Sequence, residues 1–261
     1  MDEWIEARRG EAAAFFADGA SPDDPVRLAA HVAAPNGGNH RGAIVLCHGF
    51  PAGPGGATLS AATYPEFADR MAAHTGSMVL TFNFRGTGTS EGEFSFSGWR
   101  SDVRAAVDEL CQRSAMRRVA CVGSSLGGAV VLDHAVDDDR VAGVATLGCP
   151  TGGLWSRNPG EFLEHARRVG VIRADDFPED RGAWCDDAAS LDPVVSAEAL
   201  GERPLLVLHG SDDDVAPVED ARALAQAGGS RAELHIVHQA GHQLRHDPRA
   251  VAVLLGWLER L

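Results

Sequence analysis

Two serines stand side by side between glycines in the stretch VACVGSSLGGAVVLDHA, residues 119–135. A serine hydroxyl can attack an acyl carbonyl if a base takes its proton and a further group orients that base. The frame decides which serine suits. A nucleophile on a tight turn between a strand and a helix needs small residues two before and two after it, because the helix passes close to the strand. Ser125 has Gly123 and Gly127 at those places, whereas Ser124 has Val122 and Leu126, whose branched side chains would be driven into the crossing. Ser125, in the form G-x-S-x-G, is the candidate nucleophile. The Leu126 N–H, at the start of the following helix, is the natural first donor to the oxyanion that forms on the attacked carbonyl. A glycine-rich crossover without chemistry is the alternative that the motif alone leaves standing.

A base and its orienting group must come from elsewhere in the chain. Asp212, Asp213 and Asp214 follow the apolar run PLLVLHG, 204–210, and any of the three could orient a base. His238, His242 and His246 compete for the base itself. His238 ends the run AELHIVH, 232–238, and His246 stands in RHDP at the approach to the last helical segment. His242 follows Ala240 and Gly241 on a loop free to reach over a sheet edge, which makes it the candidate. The chain order serine, acid, histidine is the one such a site uses on a parallel sheet.

The elements that must position these groups are short Val-, Leu- and Ile-rich runs alternating with helix-period segments, a pattern that predicts a mostly parallel α/β sheet with helices on both faces. Strands are predicted at 42–48, 77–84, 118–123, 141–148, 204–210 and 232–238, and the alternating run 26–35 as an antiparallel edge strand. Helices are predicted at 60–75, 97–114, 125–136, 218–228 and 248–260. Residues 151–203 break the alternation and carry Trp155, Phe162, Phe177 and Trp184, so they read as a small cap insertion within a single 1–261 domain. Trp155 and Trp184 could line an acyl pocket, or the aromatics could form the cap's own small core.

Composition removes other chemistries. The chain of 261 residues is 44% hydrophobic, enough for a substantial core, and its formal charge of −14 disfavours nucleic acid and anionic membranes as partners. All 23 basic residues are arginine, so there is no lysine for a Schiff base or a phosphate loop. The five cysteines are scattered without a C-x-x-C pair, which suits reduced thiols in a cytoplasmic protein. No apolar run approaches the roughly 20 residues of a membrane span, and charges interrupt what would be a signal core at the N-terminus. RGTGTSEG, 85–92, has Glu91 where a dinucleotide fingerprint needs its third glycine and reads as a structural loop. PAGPGG, 51–56, reads as a flexible wall of the site, and the acidic runs 133–140 and 174–180 as solvated surface.

Taken together, LCHGF, NFRGTGTSEG, GSSLG, LHGSDDDVAP and the late GH resemble the α/β-hydrolase superfamily over residues 42–247. The chain is most similar there to compact bacterial esterases of the feruloyl or cinnamoyl type, and to the serine aminopeptidase and dienelactone hydrolase-like groups. Aligned on His209, Gly210 and Pro217, the resemblance puts the triad acid at Asp213, and its GH motif selects His242. HGF implies the Phe50 N–H as second oxyanion donor. Dienelactone hydrolases use a cysteine at the elbow, and this chain has none there.

The expected function is a serine hydrolase of small or medium carboxylic esters, acting on small-molecule substrates with no metal or organic cofactor. An aminopeptidase, an acyltransferase and a non-catalytic ligand-binding protein on the same fold are the alternatives. Gross charge alone favours uncharged or weakly cationic substrates.

Overall fold

The computed structural model describes residues 10–19, 25–35, 40–53 and 55–261. Eight strands form one sheet: β1 (Glu11–Ala17), β2 (Val26–Ala33), β3 (Ala43–Cys47), β4 (Met78–Phe82), β5 (Val119–Ser124), β6 (Val141–Leu147), β7 (Leu205–Gly210) and β8 (Ala232–Val237). Their order is β1-β2-β4-β3-β5-β6-β7-β8. Strands β3 to β8 run parallel, and β2 lies antiparallel to both of its neighbours. This is the α/β architecture that the alternation of runs predicts.

β2 is antiparallel as expected but is not an edge. β1 pairs along it from Glu11↔Val32 to Ala17↔Val26 and is the outermost strand among the described residues. The segment EAAAFFA is alanine-rich and lacks the β-branched residues that mark strands, so only the tertiary pairing reveals it. Its alternation is visible in the two phenylalanines. Phe15 is buried edge-on to Phe82 at 5.5 Å, while Phe16 faces solvent.

Helices cover both faces. On one side α1 (Tyr64–Thr75) and α9 (Pro248–Leu258) pack with Ile44, Leu46, Val122 and Leu206. On the other, α2 (Phe96–Ser114), α3 (Leu126–Val136) and α8 (Val218–Ala227) pack with Val45, Cys47, Cys121 and Val207. Successive residues of a strand thus serve opposite cores, which is why β3 and β5 are buried along their whole length.

Between β6 and β7 the chain forms α4 (Leu154–Arg157), α5 (Pro159–Val169), α6 (Arg181–Ser190) and α7 (Pro193–Ala199). Asn158, Asp180 and Asp192 start the last three, accepting from Glu161 N, Ala183 N and Val194 N at 3.3, 2.9 and 3.0 Å. Asp180 of the acidic run therefore has a local structural task. Trp155, Phe162 and Trp184 are buried against Phe94 and Phe96, so this segment shares the main core instead of enclosing a separate one. No helix among the described residues is long and apolar enough to cross a membrane.

Candidate active site

Ser125 sits between β5 and α3 at φ 49°, ψ −129°, a backbone conformation that costs a non-glycine residue about 1–3 kcal/mol. Packing and hydrogen bonds hold it there. Its N–H donates to Leu147 O at 2.8 Å, and its carbonyl accepts from Gly128 N at 2.9 Å. The two flanking glycines have no room for a side chain: a Cβ on Gly127 would lie 2.1 Å from His48 O, and one on Gly123 2.5 Å from Gly127 O. Gly49 is pressed as closely, since its Cβ would meet that of Ser125 at 2.8 Å. Gly127→Ala is expected to destabilise the fold by about 2–3 kcal/mol, because the contact is with backbone that must move. It should also slow any reaction at Ser125 by roughly 10²-fold, through displacement of the 48–50 loop. Denaturant melts and steady-state rates would test this, and wild-type values for both would refute the clash.

The loop that carries Phe50 is fixed by His48, which is fully buried. His48 Nε2 accepts from Phe84 N at 3.1 Å, so its proton is on Nδ1, which donates to Gly49 O at 2.7 Å. The ring is enclosed by Tyr64, Phe84 and Trp99. Burial lowers its pKa to about 4, assisted by Arg245 and opposed by the hydrogen bond to Gly49. Above pH 6.5 the imidazole is neutral in the folded and unfolded chains alike. As pH falls from 6.5 to 4 the unfolded chain takes a proton that the folded one refuses, so stability drops, by about 3 kcal/mol from this residue. His48→Gln should flatten the dependence of unfolding free energy on pH across that window. An unchanged slope would remove His48 as its source.

Asp213 lies in the loop after β7 with its side chain fully buried, while Asp212 and Asp214 are exposed. Its Oδ1 accepts from the amides of Val215 and Ala216, each at 2.9 Å, and its Oδ2 lies 2.8 Å from His242 Nδ1. Burial pushes the carboxyl up, but the Ala216 amide, His242 and the Val215 amide outweigh it and hold its pKa below the ordinary value. An ionised carboxylate only accepts, so His242 Nδ1 carries the proton and Nε2 is left with its lone pair. Of the three competing histidines, His242 alone meets Asp213. His238 and His246 are exposed, and neither bonds to it among the described residues.

Sequence reasoning used His209 only as an alignment mark, yet it braces the acid. Fully buried, it donates from Nε2 to Ala216 O at 3.0 Å, and the same nitrogen stands 3.4 Å from Asp213 Oδ2. It thereby clamps the turn whose amides hold Asp213. A histidine three residues before an acidic run is the only signal the sequence offers for it.

Ser125, His242, Phe50 and Leu126 line one cleft of about 760 Å³. The Phe50 ring rests on Phe94 and Phe162, with centroids at 5.2 and 5.0 Å, which ties this loop to α5. Trp155 and Phe162 form an apolar wall of the cleft. Trp184 does not line it, its indole N–H being turned to Phe94 O at 3.1 Å. Pro51, Ala52 and Gly53 edge the opening. The 85–92 loop is structural: Arg85 lies on buried Asp102 through its amide and guanidinium at 2.8 Å, and a Cβ on Gly86 would strike Val171 O at 2.2 Å. Thr151 donates from N and Oγ1 to Asp220 at 3.1 and 2.7 Å, pinning the start of the 151–203 segment to α8.

The family described as serine aminopeptidase, S33, matches residues 38–169. An uncharacterized protein of Mycobacterium tuberculosis is 30% identical over 175 residues, which cover 66% of this chain and 54% of that protein. The chain spans about half the length of the curated relatives it matches. Among solved structures, the esterase domain of a Rhodothermus marinus protein superposes with a TM-score of 0.69 at 23% identity, covering 97% of this chain and 99% of the other. A Pyrococcus furiosus esterase gives 0.67 at 17% identity, with 96% and 91% covered. At such identities these likenesses speak for the fold.

Proposed function

The chain belongs to the serine aminopeptidase S33 family of α/β-hydrolases, and we propose that it is a serine-dependent carboxylic ester hydrolase acting on small or medium acyl groups. One observation carries the reading. The strained Ser125 turn opens into the same cleft as His242, whose Nδ1 proton is directed by a buried, ionised Asp213. His242 Nε2 takes the Ser125 Oγ proton as that oxygen bonds to the acyl carbon, and the N–H groups of Phe50 and Leu126 receive the oxyanion. Collapse of the tetrahedral intermediate passes the proton to the departing alcohol. Water, deprotonated by His242, then releases the acid and restores Ser125. Asp213 stabilises the imidazolium through both steps. The helices α4 to α7 act as a cap over the acyl-binding wall. Five unpaired thiols fit a reducing, cytoplasmic setting.

The test is labelling with a fluorophosphonate and peptide mapping, alongside turnover of p-nitrophenyl butyrate. Attachment at Ser125, lost in Ser125→Ala, is expected. A folded protein that neither labels nor turns over would move the ligand-binding alternative to first place. The family description favours aminopeptidase as the second reading, and Ser125-dependent release of p-nitroaniline from aminoacyl anilides at rates above those on esters would establish it.

A further inference from the structure

The basic side chains lining the cleft are not equally committed. His242 is held by Asp213 at 2.8 Å. His165 lies against the Phe50 ring at 5.8 Å, and burial together with Arg168 lowers its pKa, so it is uncharged at neutral pH. Arg157, the last residue of α4, is the remaining one, and its guanidinium presents a planar fork of N–H donors. Its side chain makes no ion pair and no hydrogen bond among the described residues. Of the arginines that do not line the cleft, Arg181 meets Glu164 at 2.9 Å and Arg100 meets Asp133 and Asp187 at 2.9 and 3.0 Å, while Arg168, beside His165, has no ion pair among the described residues. Among the described residues Asp220 is the single carboxylate lining the cleft, and both of its oxygens accept from Thr151. The cleft therefore combines an apolar wall, Trp155 and Phe162, with one exposed guanidinium that no carboxylate engages among the described residues.

Resting on the ester-hydrolase reading of this cleft, we propose that Arg157 is a specificity-determining residue that binds a carboxylate on the substrate, so that the preferred esters carry a free carboxylate group. A planar guanidinium matches a carboxylate with two parallel hydrogen bonds, and it does so far better than it matches a neutral ester end. The formal charge of −14 does not oppose this. Surface charges beyond about 8 Å are largely screened at physiological ionic strength, whereas Arg157 acts at contact range.

Two isosteric pairs test the proposal and separate the two arms of the substrate. Monomethyl adipate against methyl hexanoate places the carboxylate on the acyl side, and 4-butyryloxybutanoate against butyl butyrate places it on the alcohol side. In at least one pair the wild type is expected to favour the anionic ester by about tenfold or more in kcat/KM. Arg157→Gln should reduce that ratio about tenfold, through KM of the anionic ester, and Arg157→Lys should retain part of it. No anionic preference in either pair, or a preference that survives Arg157→Gln, overturns the proposal while leaving the hydrolase reading intact. Absence of Ser125-dependent turnover of all four esters removes the hydrolase reading, and the proposal with it.

Discussion

Ser125→Ala is expected to cut ester turnover by roughly 10⁴- to 10⁶-fold while leaving the fold intact. The size follows from what remains. The variant keeps the Phe50 and Leu126 amides, the apolar wall and His242, so water can still react on a bound ester, but no covalent acyl intermediate can form. Stability should change little. Alanine at φ 49° carries the same backbone strain as serine, and Ser125 is anchored through its N–H and carbonyl, which the substitution does not touch. Circular dichroism and denaturant melts should match the wild type, with kcat/KM measured on p-nitrophenyl butyrate. A folded variant within tenfold of wild-type turnover would rule out Ser125 as the nucleophile.

Asp213→Asn is expected to lower kcat by about 10⁴-fold through the tautomer of His242 rather than through the fold. The Asn carbonyl oxygen can still accept from the Val215 and Ala216 amides, which fixes the orientation of the side chain. Its NH₂ then replaces Oδ2 opposite His242 Nδ1, at the place where the carboxylate accepts at 2.8 Å. A donor there forces Nδ1 to accept, and the proton moves to Nε2, the nitrogen that should receive the Ser125 proton. The base is present but already occupied. Nitrogen-15 chemical shifts of the imidazole would report the switched tautomer beside the kinetic loss. Turnover within tenfold of wild type would mean that Asp213 is not the orienting acid.

Much of this arrangement was legible in the sequence, for reasons that differ from residue to residue. Ser125 stood out because the steric demand of the elbow falls on residues two away, and Gly123 and Gly127 answer it locally. Asp213 could not be told from Asp212 and Asp214 by residue type, and only the resemblance selected it. What separates the three is burial and the two amides of the following turn, which no one-dimensional pattern displays. Phe50 likewise came from the resemblance, since a backbone N–H leaves no mark on side-chain identity. β1 was missed because its strand character comes from pairing with β2 and not from its own alanines. His209 and Arg157 were passed over for a related reason. One acts through a carbonyl seven residues away, and the other stands in a stretch where charged residues are common.

The order of the strands divides the machinery into a firmly held half and a loosely held one. Ser125 hangs from β5, which is clasped by β3 and β6 and buried along its length. His242 follows β8, which among the described residues is paired on one side only, with β7, and has four successive exposed residues, Glu233 to Ile236. Asp213, after β7, and His242 make their 2.8 Å contact beyond the end of that ladder, where Asp212 N also donates to Ala240 O at 3.0 Å and Gln239 N to Ser211 Oγ at 2.8 Å. Opening a sheet margin takes less free energy than opening its middle. Thermal opening of that margin is therefore expected to part His242 from Asp213 before it disturbs the Ser125 turn.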